Sequence, residues 1–166
     1  MTAATRGGSA AVTLPTDTQI LVTREFAAPK HLVYRAWTTP ELVKRWWNAK
    51  RGEVTVAEID LRVGGKWRYV MIADRGFEVA FHGEFREVVP NERIVSTEFY
   101  EGLPPGQPNE GTLNTATFRQ SGDRTTVTLL IQAPNKQVRD MIIQSGMEAG
   151  LQDALELLEQ VAQSIG

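Results

Sequence analysis

The order of the periodic patterns constrains the fold of this chain more than any other feature, because a run of strand patterns is followed by one long helical pattern. Short turns separate the strand patterns, which predicts an antiparallel meander and not alternating strand and helix units. The helical pattern begins near Asn135 and continues almost to the last residue. We therefore predict an α+β fold, in which a sheet of about six or seven strands wraps round a long C-terminal helix and leaves space between them.

Two glycines lie one turn apart in this predicted helix, at Gly146 and Gly150. A glycine inside a helix costs about 1 kcal/mol relative to alanine, so a pair of them favours a place where another group approaches the helix backbone. We interpret that group as a molecule bound between the helix and the sheet. The glycines therefore predict a ligand site without naming its occupant.

The apolar residues of the predicted helix point in two directions. At about 100° per residue, one side should face the sheet, while Val138, Met141 and Ile142 should point almost the opposite way. Either the helix kinks near Ser145 and Gly146, or its first two turns extend past the sheet and cover the loop end of the domain or a second subunit. The side that should face the sheet carries Ile143, Met147, Leu151, Ala154, Leu158, Val161 and Ile165.

Two short helices are predicted after the first strand. The strand pattern covers residues 20–28, and Pro29 suits the first turn of a helix because its missing N–H is not needed there. A second helix start follows at Thr39, where a hydroxyl cap precedes a proline at the first helical position and a carboxylate. Trp37 and Trp46 lie in these helices, and we expect both to pack in the core.

A single domain over residues 18–166 is predicted from the length and the uniform composition, since a chain of this size buries roughly 70% of its unfolded surface and no repeat divides it. We predict a disordered tail over residues 1–17, which are rich in Ala, Thr, Gly and Ser. That segment lacks the apolar run of a signal peptide, and no later segment approaches the roughly 18 apolar residues that span a bilayer. We therefore expect a cytoplasmic protein without membrane insertion.

Charge and cysteine content argue against several classes of function. The 18 basic and 20 acidic residues leave a net charge of −2, so no global field attracts nucleic acid or an anionic membrane. The absence of cysteine excludes disulfides, thiolate metal sites and cysteine nucleophiles. His31 and His82 are isolated, and Gly64 with Gly65 forms a turn signal without a phosphate-loop motif. We therefore expect neither a metal nor a cofactor.

Aromatic and flexible apolar side chains recur on the strand faces that should point towards the helix, which is the usual composition of a small-molecule pocket. Trp47 ends its helix and is expected at the wall or rim of that pocket. Gly83 interrupts the aromatic pattern, and we interpret it as a bend in the sheet in preference to a close approach of backbone or ligand. The predicted ligand-binding residues are Trp47, Trp67, Tyr69, Met71, Phe81, Phe85, Phe99, Met147, Gly150 and Leu151.

The strand pattern over residues 93–100 leaves two alternatives, since either of its faces could point inward. If the even-numbered residues face inward, Glu98 becomes a buried carboxylate with a perturbed pKa and a candidate acid or base. We favour the alternative in which Glu98 lies at the solvated surface. Arg68, Tyr69 and His82 are the other polar candidates for catalysis, and none has a recognisable partner spacing.

Several motifs resemble the SRPBCC or START-like superfamily, and within it the group of activator of heat-shock-protein ATPase homologues, which includes proteins described as polyketide cyclase-like. They extend over about residues 18–164 and consist of Arg24-Glu25-Phe26-Ala27-Ala28-Pro29, Ala36-Trp37-Thr38-Thr39-Pro40-Glu41 with Trp46-Trp47, Asp60-Leu61-Arg62-Val63-Gly64-Gly65, Gly83-Glu84-Phe85, Glu92-Arg93-Ile94-Val95 and Gly146-Met147-Glu148-Ala149-Gly150. The resemblance implies a helix-grip fold, in which a curved antiparallel sheet holds the C-terminal helix and two short helices close one end of a deep apolar cavity. The group usually has an aromatic residue where this chain has Leu151, a difference that would reshape the cavity.

The resemblance implies function only by analogy, because its members include lipid and polyketide binders, cyclases, self-sacrificing resistance proteins and a co-chaperone domain. We predict binding of a small hydrophobic molecule, lipid- or polyketide-like, in the cavity. One alternative is a cyclase or dehydratase acting on a polyketide-like substrate, which ranks below binding for want of a catalytic motif. Another is a chaperone-regulating or other protein-interaction role, through an apolar patch that would also serve a homodimer and includes Val138, Met141 and Ile142.

Overall fold

The computed structural model describes residues 9–166, which form one antiparallel sheet and four helices. The strands are β1 (Ala11–Thr13), β2 (Gln19–Phe26), β3 (Gly52–Ile59), β4 (Lys66–Ala73), β5 (Glu78–Val89), β6 (Arg93–Tyr100), β7 (Thr112–Ser121) and β8 (Arg124–Gln132). The helices are α1 (Lys30–Thr38), α2 (Pro40–Trp46), α3 (Lys136–Gln144) and α4 (Met147–Ser164). The strand order is β1-β2-β8-β7-β6-β5-β4-β3, and all neighbours are antiparallel. The predicted α+β helix-grip fold is confirmed, with a slightly larger sheet of eight strands.

The eighth strand, β1, lies in the segment that the sequence predicts as a disordered tail. It pairs with β2, from Ala11 opposite Thr23 to Thr13 opposite Leu21. Just before it, the backbone of Ala10 exchanges two hydrogen bonds with the side-chain amide of Gln152 on α4, at 2.9 and 2.8 Å. The prediction is therefore wrong for this stretch, because a strand of three residues is too short to show a period. Residues 1–8 of the predicted tail lie outside the described residues.

One face of the sheet packs against α4, and we call it the inner face. Its alternate residues combine with one side of α4 into a single hydrophobic core, because each strand places every second side chain on that face. The α4 residues that are fully buried in this core are Ala154, Leu155, Leu158, Val161 and Ala162. The sheet residues of the same core include Ile20, Val22 and Phe26 of β2, Val127 and Ile131 of β8, Ala116 and Phe118 of β7, and Ile94 of β6.

The helices α1 and α2 close one end of this core, as the resemblance implies. The Trp46 indole N–H donates a hydrogen bond to the carbonyl of Ala36 at 2.8 Å, which ties the two short helices together. The Trp37 ring lies 5.7 Å from that of Trp46 and 5.5 Å from that of Phe118, so both tryptophans pack in the core as predicted. Thr39 precedes α2 as predicted, but its hydroxyl makes no capping hydrogen bond.

The predicted C-terminal helix is two helices, because Gly146 separates α3 from α4 with a φ of +86°. An L-residue in this left-handed region costs roughly 1–2 kcal/mol, so glycine here ends one helix and lets the next begin. Asn135 caps α3 as predicted, since its Oδ1 accepts a hydrogen bond from the Val138 N–H at 2.9 Å. Ile143 was expected to face the sheet and is exposed, because α3 does not continue the axis of α4. No helix in the described part of the chain combines the length and the apolar character that a bilayer span requires.

Candidate functional site

The inner face divides into two halves that differ in how completely they are packed. In the closed half, next to α1 and α2, the side chains of Phe26, Phe118, Val33 and Leu158 are at most 1% exposed. In the open half, nearer the N-terminal end of α4, both apolar and polar inner-face residues are only partly buried. The open half consists of Trp47, Tyr69, Phe81, Glu98, Tyr100, Thr112, Asn114, Met147 and Leu151.

Aromatic rings in contact with one another form one wall of the open half. The ring of Trp47, which follows α2, lies 5.3 Å from the ring of Tyr69 and 5.9 Å from that of Phe81. The Phe81 ring lies 5.1 Å from that of Tyr100, its partner on β6. Edge and tilted contacts at these distances hold the rings in place while leaving part of their surface accessible. The wall is therefore preformed and not fully covered.

The even-numbered residues of β6 lie on the inner face. This answers the question, left open by the sequence, of which face of the strand points inward. Ile94 lies in the core, and its partner on β7, Ala116, is also buried. Phe99 points the other way, and its ring stacks on that of His82 with the centroids 5.4 Å apart. Glu98 is therefore on the inner face, and the solvated position that we favoured is wrong.

Glu98 is held by a chain of hydrogen bonds from β7. The Asn114 side-chain N–H donates to Glu98 Oε1 at 3.0 Å, and the Thr112 hydroxyl donates to Asn114 Oδ1 at 2.9 Å. Burial raises the pKa of the Glu98 carboxyl, while the hydrogen bond from Asn114 acts in the opposite direction. No arginine, lysine or histidine among the described residues forms an ion pair with Glu98.

Tyr69 lies close enough to Glu98 for the two groups to interact electrostatically. Burial, and after it the charge of Glu98, raises the pKa of the Tyr69 hydroxyl, so this group is a neutral hydrogen-bond donor.

Gly83 lies on β5, between the strands of Tyr69 and Glu98, and has no side chain. The indole N–H of Trp67 passes over Gly83 and donates a hydrogen bond to the carbonyl of Thr97 at 3.1 Å. Gly83 is therefore the site of a close approach, because a Cβ there would lie 1.8 Å from that carbonyl oxygen, and not the bend that we expected.

The predicted ligand-binding residues lie in four different places. Trp47, Tyr69, Phe81, Met147 and Leu151 lie in the open half, while Trp67, Met71 and Phe85 share the inner face but are buried. Gly150 lies beside the guanidinium of Arg51, where an added Cβ would find ordinary contact at 3.7 Å. Phe99 is the exception, because it lies on the outer face against His82.

Sequence reasoning missed Tyr100, Thr112 and Asn114, and named Glu98 only conditionally. The signal that could have placed them is the shared parity of Ile94, Glu98 and Tyr100 on one strand pattern. An isolated sequence does not show which strand lies opposite, so Asn114 could not be paired with Glu98 in advance. The polar part of the site therefore depends on the register of β6 and β7.

Two of the polar catalytic candidates, Arg68 and His82, lie on the outer face and contact the same carboxylate. Arg68 makes two hydrogen bonds to the Glu101 carboxylate at 2.9 and 2.8 Å, and His82 Nδ1 lies 2.9 Å from the same carboxylate. The hydrogen bonds from Arg68, more than any other contact, lower the pKa of Glu101 to about 2. This cluster fixes the start of the loop after β6 and contributes nothing to the inner face.

Two surface pockets lie away from the open half. One of about 470 Å³ lies along α3, and the other, of about 140 Å³, lies on the outer face of β7 and β8. The predicted interaction patch lies next to the first pocket, and the structure differs from the prediction at one of its residues. Met141 is exposed, but Ile142 packs against the core and Ile143 takes its place at the surface.

The closed half contains one charged residue on the inner face, Arg24 of β2, which is 1% exposed. Its guanidinium lies 3.5 Å from Glu159 Oε1 on α4 and 4.5 Å above the ring of Phe26. Glu159 Oε2 also accepts a hydrogen bond from the Ala27 N–H at 2.8 Å. These contacts give Arg24 a structural role, because it connects the sheet to the helix.

Comparisons with known proteins agree with this architecture. A family model described as "Activator of Hsp90 ATPase homolog 1-like protein" matches residues 27–163. Among solved structures, a protein from Rhodobacter sphaeroides superposes with a TM-score of 0.85 at 20% identity, over 95% of this chain and 100% of that one. A protein from Nitrosomonas europaea gives a TM-score of 0.78 at 23% identity, over 92% and 98% of the two chains. A protein from Arthrobacter aurescens gives 0.82 at 21% identity, over 93% and 91%. No curated protein matches the chain.

Proposed function

The chain belongs to the family of Activator of Hsp90 ATPase homolog 1-like proteins, and from that premise we propose that it binds a small hydrophobic molecule, lipid- or polyketide-like, between the sheet and α4. The observation that carries this proposal is the partial exposure of the inner-face side chains in the open half. Partly exposed aromatic and apolar side chains face inward there, beside a held carboxylate. Concave apolar surface with a few fixed polar groups is the usual form of a small-molecule site.

The free energy of binding would come mainly from the apolar surface that a ligand removes from water. Burial of apolar surface contributes roughly 25 cal/mol per Å², and association costs several kcal/mol in lost freedom of motion. A ligand of about ten carbon atoms that covers Trp47, Phe81 and Leu151 is therefore expected to bind with micromolar to millimolar affinity. The flexible side chain of Met147 would adapt this wall to irregular ligands.

Two phenylalanines on neighbouring strands provide a matched test. Phe81 faces the open half and Phe99 faces outward, so the same substitution at each removes the same group from opposite faces. We expect Phe81→Ala to weaken binding of the neutral fluorescent probe N-phenyl-1-naphthylamine about tenfold, since loss of a phenyl contact is worth about 1–2 kcal/mol. Phe99→Ala should leave the affinity unchanged. A thermal melt shows that each variant is folded at the titration temperature, and equal effects of the two substitutions would exclude this site.

Acid–base catalysis by Glu98 is the second candidate function, and one observation favours it. The carboxyl lies on the inner face with a raised pKa, next to the neutral hydroxyl of Tyr69. Groups of this kind transfer protons in cyclisation and dehydration reactions. The test is conversion of polyketide-like substrates by wild type and by Glu98→Gln. Equal rates in the two proteins would remove Glu98 from any catalytic role.

A further inference from the structure

We propose that the ligand of the open half carries a positive charge, as an amine or a quaternary ammonium group, which lies between the Glu98 carboxylate and the rings of Trp47, Tyr69 and Phe81. This inference rests on the proposed function, since it specifies the chemical class of a ligand at the same site. It adds an electrostatic requirement to the apolar one.

In the open half, the inner face carries a negative charge that no described cationic side chain balances. On the described inner face, the strand register places two charged side chains, Arg24 and Glu98. Arg24 is paired with Glu159, whereas Glu98 has only the neutral amide of Asn114 as a partner. A partly buried carboxylate without a cation is costly, and a cationic ligand would supply the missing charge.

The free atoms of the site point to the same class of ligand. Glu98 Oε1 accepts the hydrogen bond from Asn114, and Oε2 has no hydrogen bond from any described residue. This oxygen is not fully enclosed by protein atoms, so it keeps some contact with solvent. Because an ionised carboxylate only accepts hydrogen bonds, an ammonium N–H or a quaternary ammonium group is its natural complement.

The aromatic wall strengthens this preference. Rings within about 6 Å of a cation attract it through their electron-rich faces, and the attraction is stronger when the cation is desolvated. The Trp47 ring contacts the rings of both Tyr69 and Phe81, which are cross-strand partners, so one bound group can lie against all three. An anionic ligand is less favoured, because Arg51, which lies beside Gly150 of α4, is already paired with Asp153 at 3.0 Å. Arg139 on α3 is likewise paired with Asp140 at 2.8 Å.

Cation binding should be linked to the protonation of Glu98. A cation favours the ionised carboxylate, so its affinity rises as the pH rises through the pKa of Glu98. A neutral ligand of the same shape shows the opposite trend, because it displaces water from the ionised group. Tyr69 is the titratable group that faces Glu98 from β4, and its raised pKa keeps it neutral over this range. The neighbours on β5 and β7 are uncharged: Phe81, Gly83, Thr112 and Asn114.

Two probes of nearly identical shape separate charge from hydrophobicity. Phenyltrimethylammonium is positively charged, and tert-butylbenzene is its neutral counterpart. Calorimetric titrations of the full chain at pH 5 and pH 8 should show that the cation binds more tightly at the higher pH, while the neutral probe does not. Glu98→Gln should weaken the cation at pH 8 at least about tenfold and abolish its pH dependence, since the charged partner is lost. Binding of tert-butylbenzene to Glu98→Gln should be retained.

Glu84→Gln is the matched control, because Glu84 lies on the outer face beside Arg86 and its loss changes the net charge equally. It should leave both probes unaffected. If tert-butylbenzene binds and the cation does not, or if Glu98→Gln and Glu84→Gln behave alike, the cationic ligand is excluded while the proposed function stands. If neither probe binds wild type, both proposals fail.

Discussion

The closed and open halves of the inner face each contain one charged side chain, and they accommodate it differently. In the closed half, Arg24 lies on Phe26 and is paired with Glu159 across the sheet–helix interface. In the open half, Glu98 is oriented by Asn114 but has no countercharge among residues 9–166. The charge of Arg24 is balanced by another part of the protein, and we propose that the charge of Glu98 is balanced by a ligand. The contrast separates a region that stabilises the fold from one that is available for binding.

The largest effect on stability is expected when the buried charge of Arg24 loses its partner. Glu159→Ala leaves Arg24 buried without a carboxylate and the Ala27 N–H without an acceptor, so we expect a loss of about 3 kcal/mol in the free energy of unfolding. Glu156→Ala removes an exposed pair with Lys50 from the same helix and should cost less than about 1 kcal/mol. Urea denaturation of both variants makes the comparison, and similar losses would show that Arg24 is not a structural anchor.

Two leucines of α4 compare the packing of the halves directly. Leu158 is fully buried in the closed half, so Leu158→Ala should cost about 3 kcal/mol through lost contacts and a cavity. Leu151 is only half-buried, and Leu151→Ala should cost about 1 kcal/mol. The measurement is again the free energy of unfolding. A cost at Leu151 equal to that at Leu158 would mean that the open half is as well packed as the closed one.

The two glycines near the start of α4 should respond with opposite signs. Gly146→Ala forces a φ of +86° on alanine and should destabilise the protein by about 1 kcal/mol. Gly150→Ala places a Cβ in ordinary contact with Arg51, and alanine favours the helix, so a gain of about 0.5–1 kcal/mol is expected. Thermal unfolding of both variants distinguishes them. A loss at Gly150 would indicate that the backbone of α4 is approached more closely than the structure shows.

A smaller effect on stability is expected from the carboxylate of Glu98 in the protein without ligand. Because the pKa of Glu98 is raised in the native protein from its ordinary 4.5, folding favours the protonated form, and stability decreases as the pH rises through the native pKa. Glu98→Gln removes that ionisation and keeps the Asn114 hydrogen bond. We expect the variant to be more stable than wild type at pH 8, by about 1 kcal/mol or less, and equal to it at pH 4.

Glu101 on the outer face is the control for this pH dependence, because its pKa is lowered to about 2. Its contribution is present above the unfolded value of 4.5 and is lost as the pH falls towards 2. Glu101→Gln should therefore destabilise the protein at pH 8, by about 0.5 kcal/mol for a partly exposed ion pair, and less at pH 3. If both substitutions shifted stability in the same direction at pH 8, the assignment of Glu98 to the inner face would be contradicted.

Local signals were sufficient for much of the fold. Periodicity, the proline at the start of α2 and the cap at Asn135 predicted the elements, and the motifs predicted how they assemble. A kink near Ser145 and Gly146 was one of two alternatives, and the sequence did not decide between them, because glycine at a helix end and glycine inside a helix look alike in a sequence. Only the left-handed φ distinguishes them. The strand β1 was missed because its hydrogen bonds come from β2 and not from a pattern of its own.

The apolar part of the candidate site was predictable and its polar part was not. Trp47, Tyr69 and Phe81 follow from alternation and helix position, which are properties of single segments. Glu98 and Asn114 meet only through the register of two strands, and parity along β6 could be assigned only once the burial of Ile94 was known. Phe99 was misplaced for the same reason. Face assignment is therefore the step at which sequence reasoning was insufficient.

The central claim is that the open half, and not another surface, receives the ligand. Methionine methyl groups lie in informative places: Met147 in the open half, Met71 buried on β4 and Met141 exposed on α3. With ¹³C-methyl-labelled methionine and tert-butylbenzene, we predict intermolecular nuclear Overhauser effects from the tert-butyl protons to the Met147 methyl and none to Met141. Contacts to Met141 alone, or to no methionine at saturating probe, would contradict the account.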